Sequence, residues 1–259
     1  MNSSKKDKKI SLITLSLNSE ATIRDTLTSV SIQDYSLIEH IIIDGCSSDS
    51  TQEIIREYSK NSKHEVRSFI YDPNGIYNAL NYGISLSTGD VIGVIHSDDY
   101  FNAQDSITNI MNEFGDATLC VFGNIDIINK NKRIIRRWKD DYQVENRGYW
   151  WTPPHTATYL HKSLYNKYGV YDEEYAISGD YDFFCRLPRE VTKNFRHLNK
   201  TVVVQRIGGV STSFKNSFKK NLEDFKVLRK HSQRPIRDFL NKKFSKLRQF
   251  NYNSLNSER

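Results

Sequence analysis

The chain has 259 residues, 37% apolar and 26% charged, with a net charge of +6, enough for one large domain or a domain with an appendage. No run approaches about 18 consecutive apolar residues, which excludes a spanning helix, and the polar, basic opening MNSSKKDKKI excludes a usual secretory signal. Three widely spaced cysteines, Cys46, Cys120 and Cys185, argue against a disulfide framework or a cysteine zinc site and fit a reducing cytosol.

Residues 10–17 (ISLITLSL) form an aliphatic, β-branched run that predicts a buried strand. A helix over 21–32 follows, with Ile23, Leu27 and Val30 on one face. A second strand over 38–43 ends abruptly in DGCSSD, and Ser50-Thr51-Gln52-Glu53 then supplies cap-type residues for another helix. A third strand over 66–71 closes on Asp72-Pro73-Asn74-Gly75, a helix spans about 76–86, and a fourth strand over 91–95 delivers His96-Ser97-Asp98-Asp99. Strands read as apolar throughout and alternating with helices predict a parallel sheet covered on both faces. Ligands of such sheets sit beyond the carboxyl ends of the strands, where both acidic clusters lie.

Further on, 117–128 and 133–138 suit a hairpin. An aromatic, proline-rich loop, Tyr149 to His155, precedes a helix over 162–168. Ser178-Gly179-Asp180-Tyr181-Asp182 opens another helix, and 201–207 reads as a late strand running into Gly208-Gly209. From Lys215 onward, 13 Lys and Arg stand against 4 Asp and Glu, whereas the preceding residues carry 24 against 27. A mildly acidic body and a strongly basic tail argue against nucleic acid as a partner of the body.

Adjacent carboxylates at a strand end repel one another. They either cap the following turn or meet a hard divalent cation, which takes oxygen ligands and shares its remaining positions with phosphates. A second acidic cluster after another strand of the same sheet favours the cation.

In order and approximate spacing, ISLITLSLNSEATIRDTLTSV, IEHIIIDGCSSDST, NGIYNALNYGI, STGDVIGVIHSDDYF and SGDYDFFCRL resemble the family 2 glycosyltransferases, inverting enzymes with the GT-A fold. The resemblance covers about residues 9–212. It implies an α/β, mostly parallel GT-A sheet flanked by helices. With the change in charge near residue 214, the chain divides into a disordered basic stretch 1–9, a GT-A catalytic domain 10–214 and a basic, amphipathic helical tail 215–259. The resemblance also implies a cytoplasmic enzyme of bacterial surface-polysaccharide biosynthesis. The enzyme would carry a hexosyl or N-acetylhexosaminyl group from a UDP-sugar to a glycan or lipid-linked saccharide with Mn2+ or Mg2+.

Carried onto this sequence, the family's nucleotide-contacting residues fall on Ser16, Asn18, Asp44, Asp72 and Asp98. The metal-binding carboxylate falls on Asp99, assisted by Asp98, and the catalytic base on Asp180. Asp72 lies one place away from the family's acidic residue, His96 stands where Asp or Asn is common, and Asn78 replaces a frequent Asp. Inverting transfer needs one base and neutralisation of the departing diphosphate, without a covalent nucleophile. Asp182 competes with Asp180 for the base. If a helix begins at 180, Asp182 turns away and pairs with Arg186 four residues on.

His155 reads as a phosphate or acceptor contact or as a hydrogen-bonded loop residue. Trp150 and Trp151 read as a sugar-stacking pair or as packing, and Gly209 as part of a loop closing over the diphosphate. In the tail, Phe218, Leu222, Phe225 and Leu228, then Leu240, Phe244 and Leu247, repeat at helical spacing among Lys and Arg. That stripe lies on an anionic membrane surface, at the inner face of the cytoplasmic membrane, or packs on protein. A nucleotidyltransferase would carry a Gly-rich basic segment where this chain reads SLNSEATIRD, and a sugar-binding module with a degenerate site would not retain Asp98, Asp99 and Asp180.

Overall fold

The computed structural model describes residues 7–138, 148, 151–207 and 214–254, with backbone alone at 214–217 and 245–254. Its first half alternates as the sequence predicts: β1 (Ile10–Ser16), α1 (Ile23–Ser31), β2 (Ile38–Asp44), α2 (Thr51–Asn61), β3 (Glu65–Ile70), α3 (Ile76–Leu86) and β4 (Val91–Val94). The strands pair in parallel in the order β3-β2-β1-β4. Register sets Ser16 beside Asp44 and Asp44 beside Ile70, so the strand ends form one rim.

The second half departs from simple alternation. It contains β5 (Tyr100–Phe101), α4 (Ser106–Asn112), β6 (Cys120–Ile128), β7 (Ile134–Trp138), β8 (Thr158–His161), α5 (Ser163–Tyr168), α6 (Gly179–Arg186), α7 (Arg189–Thr192) and β9 (Phe195–Arg206). The expected hairpin is β6 with β7. The short strand β8, which the sequence reading passed over, runs antiparallel between β4 and β6. Four residues (TYLH) give too little periodicity to announce a strand. Beyond it β6 pairs in parallel with β9 and β9 antiparallel with β5, giving the order β3-β2-β1-β4-β8-β6-β9-β5. The sheet is therefore parallel on its N-terminal side and mixed beyond β4. Helices α8 (Phe214–His231) and α9 (Pro235–Ser254) close the chain.

Both faces of the sheet are covered. Ile13, Ile41 and Ile43 meet Leu80 and Ile84 of α3 on one face, and Ile10, Leu12 and Ile38 join Val30 and Ile107 on the other. Each such side chain, fully withdrawn from water, contributes about 2 kcal/mol. The edge strand β3 is not apolar throughout: it alternates exposed and half-buried residues, which blunts the edge against further pairing.

Two polar residues interrupt the apolar run of β2. Glu39 is buried yet accepts from Ser11 Oγ (2.5 Å), Thr88 N (2.9 Å), Thr88 Oγ1 (2.9 Å) and Arg67 (3.1 Å). Burial works to raise its carboxyl, but these donors outweigh it and hold the group below its usual range. His40 sits between Thr14 Oγ1 and Tyr58 Oη, both at 2.9 Å. Burial, and secondarily the nearby His64, lower it from 6.5 to about 3. Ser50 occupies the N-cap of α2, and the side chain that accepts from Thr51 N there, at 3.0 Å, is that of Asp49.

The unfolded chain protonates His40 near pH 6.5 and the folded chain only near pH 3, so the stability carried by the neutral ring falls as pH drops through that interval. Urea unfolding across that range should show this proton uptake in the native sequence and its loss in His40→Gln. Equal pH slopes for the two proteins would refute the neutral-histidine account.

Candidate active site

The rim is built from loops that follow β1, β2 and β4 and from the start of α6. After β1, Asn18 adopts the left-handed region (φ 47°), which Asn tolerates better than most residues. Its Oδ1 accepts from Ser48 N at 2.9 Å and its N–H donates to Ser47 Oγ at 2.8 Å. Asp44, buried at the end of β2, accepts from Ser16 Oγ, Ser47 Oγ, Ser47 N and Gln52 Nε2 at 2.6–3.1 Å. Ser16, Asn18 and Asp44 thus form one interlocked unit. Asp72 is exposed at the same rim, after β3.

Asp98 and Asp99 follow β4. Asp98 keeps partial exposure, and burial raises its carboxyl. Asp99 is 1% exposed. Its Oδ2 lies 3.3 Å from Gln205 Nε2, while its buried Oδ1 has no hydrogen-bond partner among the described residues. Burial, joined by the charge of Asp98, pushes the Asp99 carboxyl well above its usual range. Two neighbouring carboxylates, one with an unmatched buried oxygen, suit a hard divalent ion. No group of three or more His, Cys, Asp or Glu among the described residues is placed to hold a metal ion, so such an ion would complete its shell with water or substrate oxygens.

Arg206 donates to the Asp98 carbonyl at 2.8 Å and pairs with Asp25. The sequence reading missed both Gln205 and Arg206. Their signal was position, at the end of a strand next to Gly208-Gly209.

Asp180 is the second residue of α6. Its Oδ1 accepts from Tyr181 N at 2.8 Å and lies 3.1 Å from Tyr77 Oη, which also stands 2.7 Å from the Ile177 carbonyl. The Tyr77 phenol is pushed up by burial and then by the Asp180 charge. A Cβ on Gly179 would lie 2.8 Å from the Tyr77 ring, so Gly permits this close approach.

His96 and His155 stand edge to face with centroids 5.9 Å apart. Burial lowers both, His96 to about 4, against the opposing pull of the Asp180 charge. A chain of ring contacts, His96–His155–Tyr171–Tyr77, leads from the residue before Ser97-Asp98-Asp99 to the Tyr77 hydroxyl that meets Asp180. His155 Nε2 is 3.3 Å from Tyr171 Oη.

Asp182 points elsewhere, as the helical reading expects. It is fully buried and paired with Arg186 (3.1 Å), Lys230 (3.3 Å) and His231 (2.9 Å). Burial opposes its ionisation, but the His231 hydrogen bond and the charges of Lys230 and Arg186 hold it below its usual range. Trp151 packs against Phe122, with ring centroids 5.5 Å apart. Trp150 and Gly209 lie outside the described residues.

An uncharacterized glycosyltransferase of Mycobacterium tuberculosis is 28% identical over 189 residues, 68% of each chain. A PGL/p-HBAD biosynthesis glycosyltransferase of Mycobacterium bovis is 24% identical over 206 residues, 78% of this chain and 79% of that one. Among solved structures, S. aureus TarS 1–349 in complex with UDP-GlcNAc superposes with a TM-score of 0.69 at 19% identity, covering 92% of this chain and 73% of that one. Mannosyltransferase PcManGT from Pyrobaculum calidifontis, in complex with GDP-Man and Mn2+, gives 0.63 at 15% identity over 91% and 69%. These two likenesses establish the GT-A fold expected from the sequence. The Glycosyl transferase family 2 profile matches residues 11–195, and the chain belongs to that family of glycosyltransferases.

Proposed function

We propose that this glycosyltransferase moves a hexosyl or N-acetylhexosaminyl group, with inversion, from a UDP-sugar to a hydroxyl of a glycan or lipid-linked saccharide. Asp180 takes the proton of that hydroxyl. The observation that carries the reading is the contrast between two carboxylates on one short helix. Asp182 is consumed by Arg186, Lys230 and a hydrogen bond to His231, whereas Asp180 has both its hydrogen-bond contacts on Oδ1 and has Oδ2 available at the rim. Neighbours of the same fold crystallised with UDP-GlcNAc, and with GDP-Man and Mn2+, support a nucleotide-sugar donor and a metal.

In this reading the donor lies along the ends of β1, β2 and β4. Ser16, Asn18 and Asp44 shape the nucleoside cradle, with Asp72 at its margin. A nucleobase N–H reaching Asp44 would share Oδ2 with Gln52, whose 3.1 Å hydrogen bond is the longest of the four. Asp99, with Asp98, would hold Mn2+ or Mg2+, which neutralises the charge growing on the departing diphosphate. Asp180 deprotonates the acceptor oxygen as it attacks the anomeric carbon. Burial favours the neutral form of both His155 and His96.

UDP-glucose and UDP-GlcNAc, tested with and without Mn2+, should raise the melting temperature by mass action. Asp99→Asn should lose the Mn2+-dependent part of that shift. Asp180→Asn should keep the shift while donor turnover drops at least about 100-fold. Near-native turnover in Asp180→Asn would remove the base assignment.

The tail supports a second, separate reading. The expected apolar stripe divides: Leu228 is buried and Phe225 half-buried, while Phe218 (70%), Leu222, Leu240 and Phe244 are exposed. The Leu247 side chain lies outside the described residues. Exposed apolar residues beside Lys226 and Arg229 suit the surface of an anionic membrane. No helix among the described residues is long and apolar enough to cross one. Sedimentation with anionic liposomes should weaken in a Phe218→Ser, Leu222→Ser double variant, and unchanged binding would refute the membrane contact.

A further inference from the structure

The three residues ahead of the proposed base are held by the tail. Glu223 of α8 accepts from three consecutive backbone N–H groups: Ala176 (3.2 Å), Ile177 (2.8 Å) and Ser178 (2.9 Å). The next residue, Asp224, is buried and accepts from Ser178 Oγ at 2.8 Å. It is held in turn by Lys220 (3.6 Å) and by Lys242 of α9 (3.3 Å).

The carbonyls of the same segment are also engaged. That of Ile177 faces Tyr77 Oη at 2.7 Å, and that of Ser178 accepts from Asp182 N at 2.9 Å. Two turns further along α8, Lys230 and His231 grip Asp182. Helix α8 therefore fixes the chain immediately before and immediately after Asp180.

A tail that needed only to be fastened to the body would do so through its apolar face, where Val227 and Leu228 are buried. A carboxylate set against three successive N–H groups does something more specific. Charge-assisted hydrogen bonds of this kind are short and directional, and they set the backbone torsions of Ile177 and Ser178. Asp180 is two residues beyond, so a small rotation there would swing its free Oδ2 away from an acceptor hydroxyl. Misplacement of a catalytic group by about 1 Å costs on the order of 100-fold in rate.

We infer that α8 is a working part of the active centre, with Glu223 and Asp224 as positioning residues that aim Asp180. This rests on the reading of Asp180 as the base, and it makes the basic tail and the catalytic domain one functional unit.

The test uses the full chain, with slow hydrolysis of UDP-glucose or UDP-GlcNAc in Mn2+ as the activity. Glu223→Ala should lower kcat by about 10- to 100-fold. Donor affinity should stay within about twofold, because the cradle lies on β1, β2 and β4 and not on α6. Glu223→Gln keeps an acceptor oxygen in nearly the same shape and should recover part of the loss, and it carries the test if the alanine variant does not fold.

A kcat within about twofold of native in folded Glu223→Ala would overturn the inference. So would a fall in kcat matched by an equal fall in donor affinity, which is the mark of general loosening. Asp180→Asn in the same assay separates the two levels. If that variant turns over like the native protein, the base assignment fails and this inference with it. If it is inactive while Glu223→Ala is not, only the role of α8 fails.

Discussion

A carboxylate withdrawn from water must have its charge met, and this protein withdraws several of them around one sheet. Glu39 is met by hydroxyls, a backbone N–H and an arginine. Asp44 is met by two serines and Gln52, Asp182 by Arg186, Lys230 and His231, and Asp224 by Lys220 and Lys242. Against that background Asp99 differs, with a buried oxygen that no described residue satisfies. In the proposed reading, a cation brought with the substrate would meet the same physical requirement at Asp99.

The two halves of the sheet contribute different parts of the site. The parallel side, β3-β2-β1-β4, ends in loops that interlock through Asn18, Asp44 and the serines between them. Past β4 the sheet turns antiparallel at β8, and the chain returns to set His155 against His96 and then Asp180 against Tyr77. In the proposed reading, preorganised loops would cradle the donor while a separate helix carries the base, so the two reactants are served by different parts of the chain.

The tail has two chemically distinct faces. Its inward face is packed and ionically saturated against α6, and its outward face shows Phe218, Leu222, Leu240 and Phe244 to solvent. The sequence sets residues 215–259 apart by their charge balance and leaves open whether they meet a membrane or pack on protein. The hydrogen bonds of Glu223 join them to the segment that bears Asp180. Net charge describes what a surface repels or attracts at a distance, and it carries no information about which acids of a basic helix turn inward.

The sequence alone determined the strand–helix alternation of the first half, the placement of the acidic clusters at strand ends and the helical start at Asp180. Hydrophobic periodicity and turn chemistry are local, so they can be read along the chain. It also anticipated the pairing of Asp182 with Arg186, since a spacing of four residues is a property of the helix itself. Only the tertiary structure decided that Glu39 and His40 are satisfied within an apparently apolar strand, that β8 bridges the two halves of the sheet, and that Gln205, Arg206, Tyr77 and Glu223 converge on the acidic residues. Those partners lie 45 to more than 100 residues from the groups they serve, and a contact across such a separation exists only once the sheet has brought its strand ends to a common edge.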